Sequence, residues 1–187
     1  MTLNASNARI FGGDGDAVNL APLGTTLPET IDEVLNAAFE DIGWLHSDGV
    51  TETASGSVEK SRGHQGNRVV RTRINEGGTT VAFTALETKA LTQKLRYDEK
   101  TSSSTGGVRK TTRGAGQKIT RMAAVLDFYD MDDDSVKERW IIPVLEIAPT
   151  GDRAMTNADI AGYPMSGEII GDYIVLSTEA PSDAEGN

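Results

Sequence analysis

NRVVRTRINEGGTTVAFTALE, residues 67–87, decides the fold class. In its first part Val70, Thr72 and Ile74 alternate with Val69, Arg71 and Arg73. A period of two sends successive side chains to opposite faces, so the apolar set is expected to face a core and the basic set solvent. After NEGG (75–78), Val81, Phe83 and Ala85 share one face in the same way. β-Branched and aromatic residues fit a pleated, half-buried surface, and Asn-Glu-Gly-Gly is turn chemistry. The stretch therefore reads as two antiparallel strands joined by a turn.

Downstream, VRKTTRG (108–114), KITRMAAVLDFYDM (118–131) and VKERWIIPVLEIA (136–148) read as further strands. Met122, Ala124, Leu126 and Phe128 are set to point inward, DMDDDS (130–135) to turn the chain, and Pro143 to mark an edge or bulge. GEIIGDYIVLS (167–177) reads as a final strand after a turn at Gly162–Tyr163–Pro164, and TSSSTGG (101–107) as a loop. Upstream, residues 17–22 are extended, one extended piece lies around Val50–Thr53, and residues 51–66 read as a long polar, Gly-rich loop. Two helices flank the strands. The first lies within LGTTLPETIDEVLNAAFEDIGW (23–44), with Thr30 or Thr26 as its cap, Pro28 and Glu29 near its start, Val34, Leu35, Ala38, Phe39 and Ile42 at helical spacing, and Gly43 as its stop. The second is TKALTQKLRYD, 88–98. The chain is thus mainly β, an antiparallel β-sandwich or barrel with one or two flanking α-helices. Residues 1–16 form an N-terminal arm, 17–177 the β domain, and 178–187 an acidic C-terminal tail.

Composition narrows the function classes. The chain has 187 residues, enough for one domain with a core, and no cysteine, which excludes disulfides, thiolate metal sites and a Cys nucleophile. No apolar run is long enough to span a membrane, and the N-terminus lacks the pattern of a secretory signal, which points to a soluble chain made in a cytoplasm. GGDGD (12–16) departs from the calcium nonapeptide at Ala17, and DMDDD departs from an EF-hand loop at Ser135 and Ile141. His46 and His64 have no ligand-spaced partner, and no nucleophile elbow or phosphate loop is present. No catalytic, cofactor or metal residues are assigned. Asp48, Glu52 and Glu59 read as a solvated face.

The net charge of −10 disfavours a grip on nucleic acid. Residues 10–59 contain ten acids and no base, whereas residues 60–75 contain five bases, Lys60, Arg62, Arg68, Arg71 and Arg73, and no acid. Two readings stay open: acidic and basic strands pair within the chain, or faces of opposite charge draw copies together head to tail.

LAPLGTTLPETIDEVLNAAFEDIGWLHSDGVTET (20–53) resembles the opening of siphophage tail tube (major tail) proteins. The resemblance rests on the Pro22–Thr25 turn, Pro28, Phe39 and the Gly43–Val50 passage. It continues through His64–Gln65–Gly66, the basic strand and the Glu before the 88–98 helix. His64 stands where an aromatic is usual. Order and spacing, more than any one motif, make the match specific. The resemblance implies a β-sandwich or barrel subunit, six to a ring, with rings stacked through arm and loop into a tube. It implies a lumen, expected to be acidic, through which DNA would pass during ejection without tight binding. It implies a virion tail protein made in the bacterial host cytoplasm, with no enzymatic activity, no cofactor and no membrane partner. Its partners would be itself and other tail proteins such as tape measure, terminator and baseplate-end proteins. Glu52, Glu59, Arg62, His64, Arg68, Arg71 and Arg73 are the expected contacts between subunits and rings. Competing readings are another ring-forming protein (a tail terminator, a tube initiator or a secretion tube), a ligand-binding or enzymatic barrel, and a capsid decoration protein.

Overall fold

The computed structural model describes residues 8–179, apart from the Glu76 side chain. The strands are β1 (Ala17–Ala21), β2 (Glu40–Asp41), β3 (Leu45–Arg62), β4 (Val69–Ala85), β5 (Glu99–Thr105), β6 (Val108–Arg113), β7 (Thr120–Tyr129), β8 (Lys137–Pro149), β9 (Tyr163–Ile169) and β10 (Ile174–Ser177). One helix, α1 (Ala90–Arg96), packs on β8 and β9. Eight strands form one antiparallel sheet in the order β2-β1-β7-β8-β9-β4-β3, with β10 beside β8, and β5 and β6 form a separate hairpin. The fold is mainly β, as the alternation predicts.

Two-residue periodicity builds the core. Val18 and Leu20 of β1, Val81 and Phe83 of β4, Ala124 and Leu126 of β7, Ile142, Leu145 and Ile147 of β8, and Met165 of β9 meet Leu91 and Leu95 of α1. Met122 and Phe128 pack against this cluster, as their spacing predicts. Pro143 sits where three steps of β8 oppose two of β7, so the missing amide hydrogen falls in a bulge.

Four expectations are corrected. First, residues 28–42 are not helical. The Arg139 guanidinium donates to the carbonyls of Thr30 (3.3 Å) and Glu33 (2.7 Å), removing acceptors a helix would use. The Asn36 side chain accepts from the Ala38 amide at 3.0 Å and turns the chain. Those Arg139 bonds put residues 30–33 on the sheet face opposite the core, the face on which register and alternation also place the buried Val125 and Ile141.

Second, Asn75–Gly78 is no turn. β4 continues through it as a bulge, its three steps from Gly78 to Asn75 opposing two of β3 from Ser55 to Ser57, and neither Gly77 nor Gly78 has the positive φ of a tight hairpin. Third, residues 51–66 are largely not an irregular loop. They belong to β3, whose 18 residues pair with β4 from Leu45↔Ala85 to Arg62↔Val69. Likewise TSSST is strand β5. Sequence reading misses such strands because neither face is buried, so no apolar alternation marks them. Fourth, GEIIGDYIVLS is two strands, parted at Gly171 (φ 80°).

Part of the segment read as a free arm is held. Ile10 donates its amide to the Asp130 carboxylate (3.0 Å), and Tyr129 donates its amide to that of Asp16 (2.7 Å). Residues 1–7 and 180–187, the rest of the arm and most of the acidic tail, lie outside the described residues.

Candidate assembly site

β9 pairs with β4 only over Thr80–Ala85. Beyond Gly78, β3 and β4 therefore continue as a two-stranded ribbon to a tip at residues 63–68. Gly63 donates its amide to the Arg68 carbonyl at 2.9 Å, and Arg62 donates from its guanidinium to the Asn67 carbonyl at 2.9 Å. Those bonds close the tip, and Asn67 adopts φ 53°.

The ribbon has two unlike faces. Val58 opposes Ile74, and Lys60 opposes Thr72, with Val70 on the same side. Val70 and Ile74 are 74 % and 70 % exposed, so this is not the core face that their alternation predicts. On the other face Glu59 opposes Arg73, with the Arg73 Nε 3.1 Å from the carboxylate and Asn75 donating to the same oxygen at 2.8 Å. Of the expected contact residues, Glu59, Arg62, His64, Arg68, Arg71 and Arg73 gather on the distal ribbon, whereas Glu52 lies near its base opposite Val81. Among the described residues no carboxylate pairs with Lys60, Arg62, Arg68 or Arg71. Neither Glu87 nor Asp127 neutralises Arg71 or Arg73. Glu87 binds Lys89 (3.4 Å) and the Trp44 amide, and Asp127 binds Arg139 (2.6 Å).

At the base of β3 lies a feature that sequence reading missed. Phe11, Phe128, Trp140 and Tyr173 form a row with ring centroids 6.0, 5.9 and 5.8 Å apart. They come from positions 11 to 173, so no local signal announces them. Phe11, Phe128 and Trp140 floor an open cleft of about 680 Å³. Trp44 stands in its wall, 76 % exposed. The Glu87 carboxylate, 3.0 Å from the Trp44 amide, fixes this position and is held below its ordinary range chiefly by that bond. Gly43 is required here: at φ 88°, a Cβ would lie 2.3 Å from the same carboxylate.

Around the floor stand Asp16, Asp48, Glu52 and Glu138, and among the described residues no Lys or Arg lines the cleft. Burial pushes the Asp16 carboxyl up, against the lowering effect of its bond from Tyr129. Burial, then the Glu52 carboxylate, pushes the Tyr173 hydroxyl up.

The outward face of β3, β4, β9 and β8 is different again. Register and alternation put Thr53, Thr80, Thr84, Ser166, Glu146 and Glu168 there, opposite the core. The neighbouring base, Arg121 of β7, is tied to Glu146 at 2.5 Å. Among the described residues no group of three or more His, Cys, Asp or Glu is placed to hold a metal ion. Among the described residues no helix is long and apolar enough to cross a membrane.

No curated protein sequence matches the chain. A protein-family model described as "Phage tail tube protein" matches residues 1–172, nearly the whole chain. The long exposed ribbon, the sheet of small polar side chains and this match agree, and the chain belongs to the phage tail tube protein family, whose members are structural subunits of the virion tail.

Proposed function

We propose that copies of this chain close into rings of six and stack into the tube of a long non-contractile tail. The face carrying Thr80, Thr84, Ser166, Glu146 and Glu168 lines the lumen, through which DNA passes during ejection. Hydroxyls and carboxylates repel or ignore phosphate, whereas free Lys or Arg there would bind it with release of counterions. The observation that supports assembly most is the ribbon beyond Gly78. A two-stranded hairpin with both faces in water is marginal alone, and the exposed Val58, Val70 and Ile74 gain only from contact with another copy. Glu59, Arg62, His64, Arg68, Arg71 and Arg73, with Glu52 at the base, are the proposed contacts. The N-terminal arm, residues 1–16, is proposed to join them. The tube would meet the tape measure inside and the terminator and baseplate-end proteins at its ends.

Negative-stain microscopy of the purified protein tests this. Tubes of uniform width with sixfold end views are expected. A protein that stays monomeric at high concentration refutes the reading, and one that stops at single rings makes it a terminator. Tubes of the wild type should not retain duplex DNA at physiological salt. Tubes of E146K/E168K should retain it, with an affinity that falls steeply as salt rises. Duplex binding by the wild type with submicromolar affinity would overturn the sliding lumen.

A further inference from the structure

The ribbon tip and the acidic cleft lie at opposite ends of one strand. β3 leaves the cleft at Glu52 and reaches the tip at Arg62. At about 3.3 Å per residue that separation is roughly 33 Å. We propose that the ribbon tip of one copy seats in the aromatic-floored cleft of the next. This rests on the tube reading above and names the receptor for the ribbon.

The two surfaces complement each other in both charge and polarity. The cleft offers Phe11, Trp44, Phe128 and Trp140 as an apolar bed and Asp16, Asp48, Glu52 and Glu138 as a rim. The ribbon offers Val58, Val70 and Ile74 as an apolar stripe, with Lys60, Arg68 and Arg71 unpaired among the described residues. Aromatic side chains in a pocket are the usual anchors of protein contacts, and charges around them set register and encounter rate. Trp44 is the anchor here, because it is held rigidly at its backbone while its ring stands in water.

Topology adds an independent argument. Tip and cleft sit at opposite ends of the same β-strand, so one copy cannot satisfy its own cleft. A contact between unlike surfaces at opposite ends propagates along the strand direction and leaves a free tip and a free cleft at each step. The other exposed basic hairpin, β5–β6, is a poorer occupant. Its Arg109 is tied to Glu99 and Ser102, both at 2.9 Å, and its Arg113 lies 3.6 Å over the Tyr97 ring.

The test compares the critical concentration for tube growth, read by sedimentation, among wild type, D48K/E52K, R68E/R71E and the four-residue charge swap. Circular dichroism confirms that each variant folds. Each one-sided variant should raise the critical concentration at least about tenfold, and the swap should return it to within about threefold of wild type. Wild-type tubes with a cleft variant that grows as readily overturn the proposal and leave the tube reading standing. R109E/K110E failing while R68E/R71E grows normally assigns the cleft to the other hairpin and overturns it too. A wild type that forms no tubes refutes the tube reading and this inference with it. Because the chain has no cysteine, S47C/V70C supplies a second readout. Assembled and oxidised, it should give a ladder of linked copies, whereas S47C or V70C alone should give dimers at most. Tubes of the double variant without a ladder overturn the proposal.

Discussion

Replacing Arg139 with Met should unfasten the segment that sequence reading takes for a helix. Arg139 is 6 % and Asp127 8 % exposed, and their two bonds are 2.6 and 3.2 Å long. The same guanidinium supplies donors to the Thr30 and Glu33 carbonyls. Methionine keeps the apolar stem and removes the charge. Asp127 would then be a buried carboxylate without its cation, and two carbonyls would lose their donor. Breaking a buried pair from one side costs about 3–5 kcal/mol. For a domain of this size, each kcal/mol shifts Tm by about 2–4 °C, so a fall of roughly 6–20 °C is expected. Urea unfolding followed by circular dichroism, at a concentration where the subunit is monomeric, measures it without a contribution from assembly. Hydrogen exchange should show residues 28–35 losing protection first, since they hang on this side chain. The companion D127L/R139M variant should recover most of the loss, because an apolar pair leaves no unpaired charge. A loss under about 1 kcal/mol for R139M, or unchanged exchange over 28–35, would refute the reasoning that this pair fastens the segment.

Gly167 lies between Val81 and Ile147 on the core face, and a Cβ there would come within 2.7 Å of the Leu145 side chain. G167A should therefore cost about 1–3 kcal/mol in urea unfolding, the usual penalty of overpacking. Asp130 accepts from the amides of Asp132 and Ile10, bonds that hold its carboxyl below the ordinary carboxylate range. Its folded-state pKa is below the unfolded one, so its contribution is complete at neutral pH and is lost as pH falls through the folded value. D130N should remove that part of the acid dependence and raise exchange at the Ile10 amide. R113A, which takes the guanidinium from the Tyr97 ring, should cost under about 1 kcal/mol overall yet raise exchange across Glu99–Thr105.

The body of the fold was legible because burial leaves a mark on sequence. β7 and β8 show it best: Met122, Ala124, Leu126 and Phe128 face the core at every second position, and Pro143 announces its own bulge. α1 was legible too, since Leu91 and Leu95 are one helical turn apart and both are buried. The 28–42 segment misled because its apolar residues recur at helical spacing while Val34 ends 90 % exposed. Periodicity reports a helix only where a core is waiting for that face, and here Arg139, more than 100 residues away, competes for the carbonyls.

The parts proposed for assembly were the least legible, for a related reason. In the ribbon the same alternation of Val70, Thr72 and Ile74 that marks a core strand marks a stripe left in water. A sequence records that a face is to be covered, not whether the cover is the same chain or another copy. The basic run over residues 60–75 is a local signal that, on the proposed reading, favours another copy. It placed Arg62, Arg68 and Arg71 together, and the structure leaves all three without a carboxylate among the described residues. The cleft had no such signal, because its aromatic row is assembled from β7, β8 and the segments before β1 and β10. On the proposed reading, an exposed apolar stripe flanked by charge without a partner among the described residues, in a strand too long for its own domain, distinguishes a surface awaiting its copy from a strand awaiting its core.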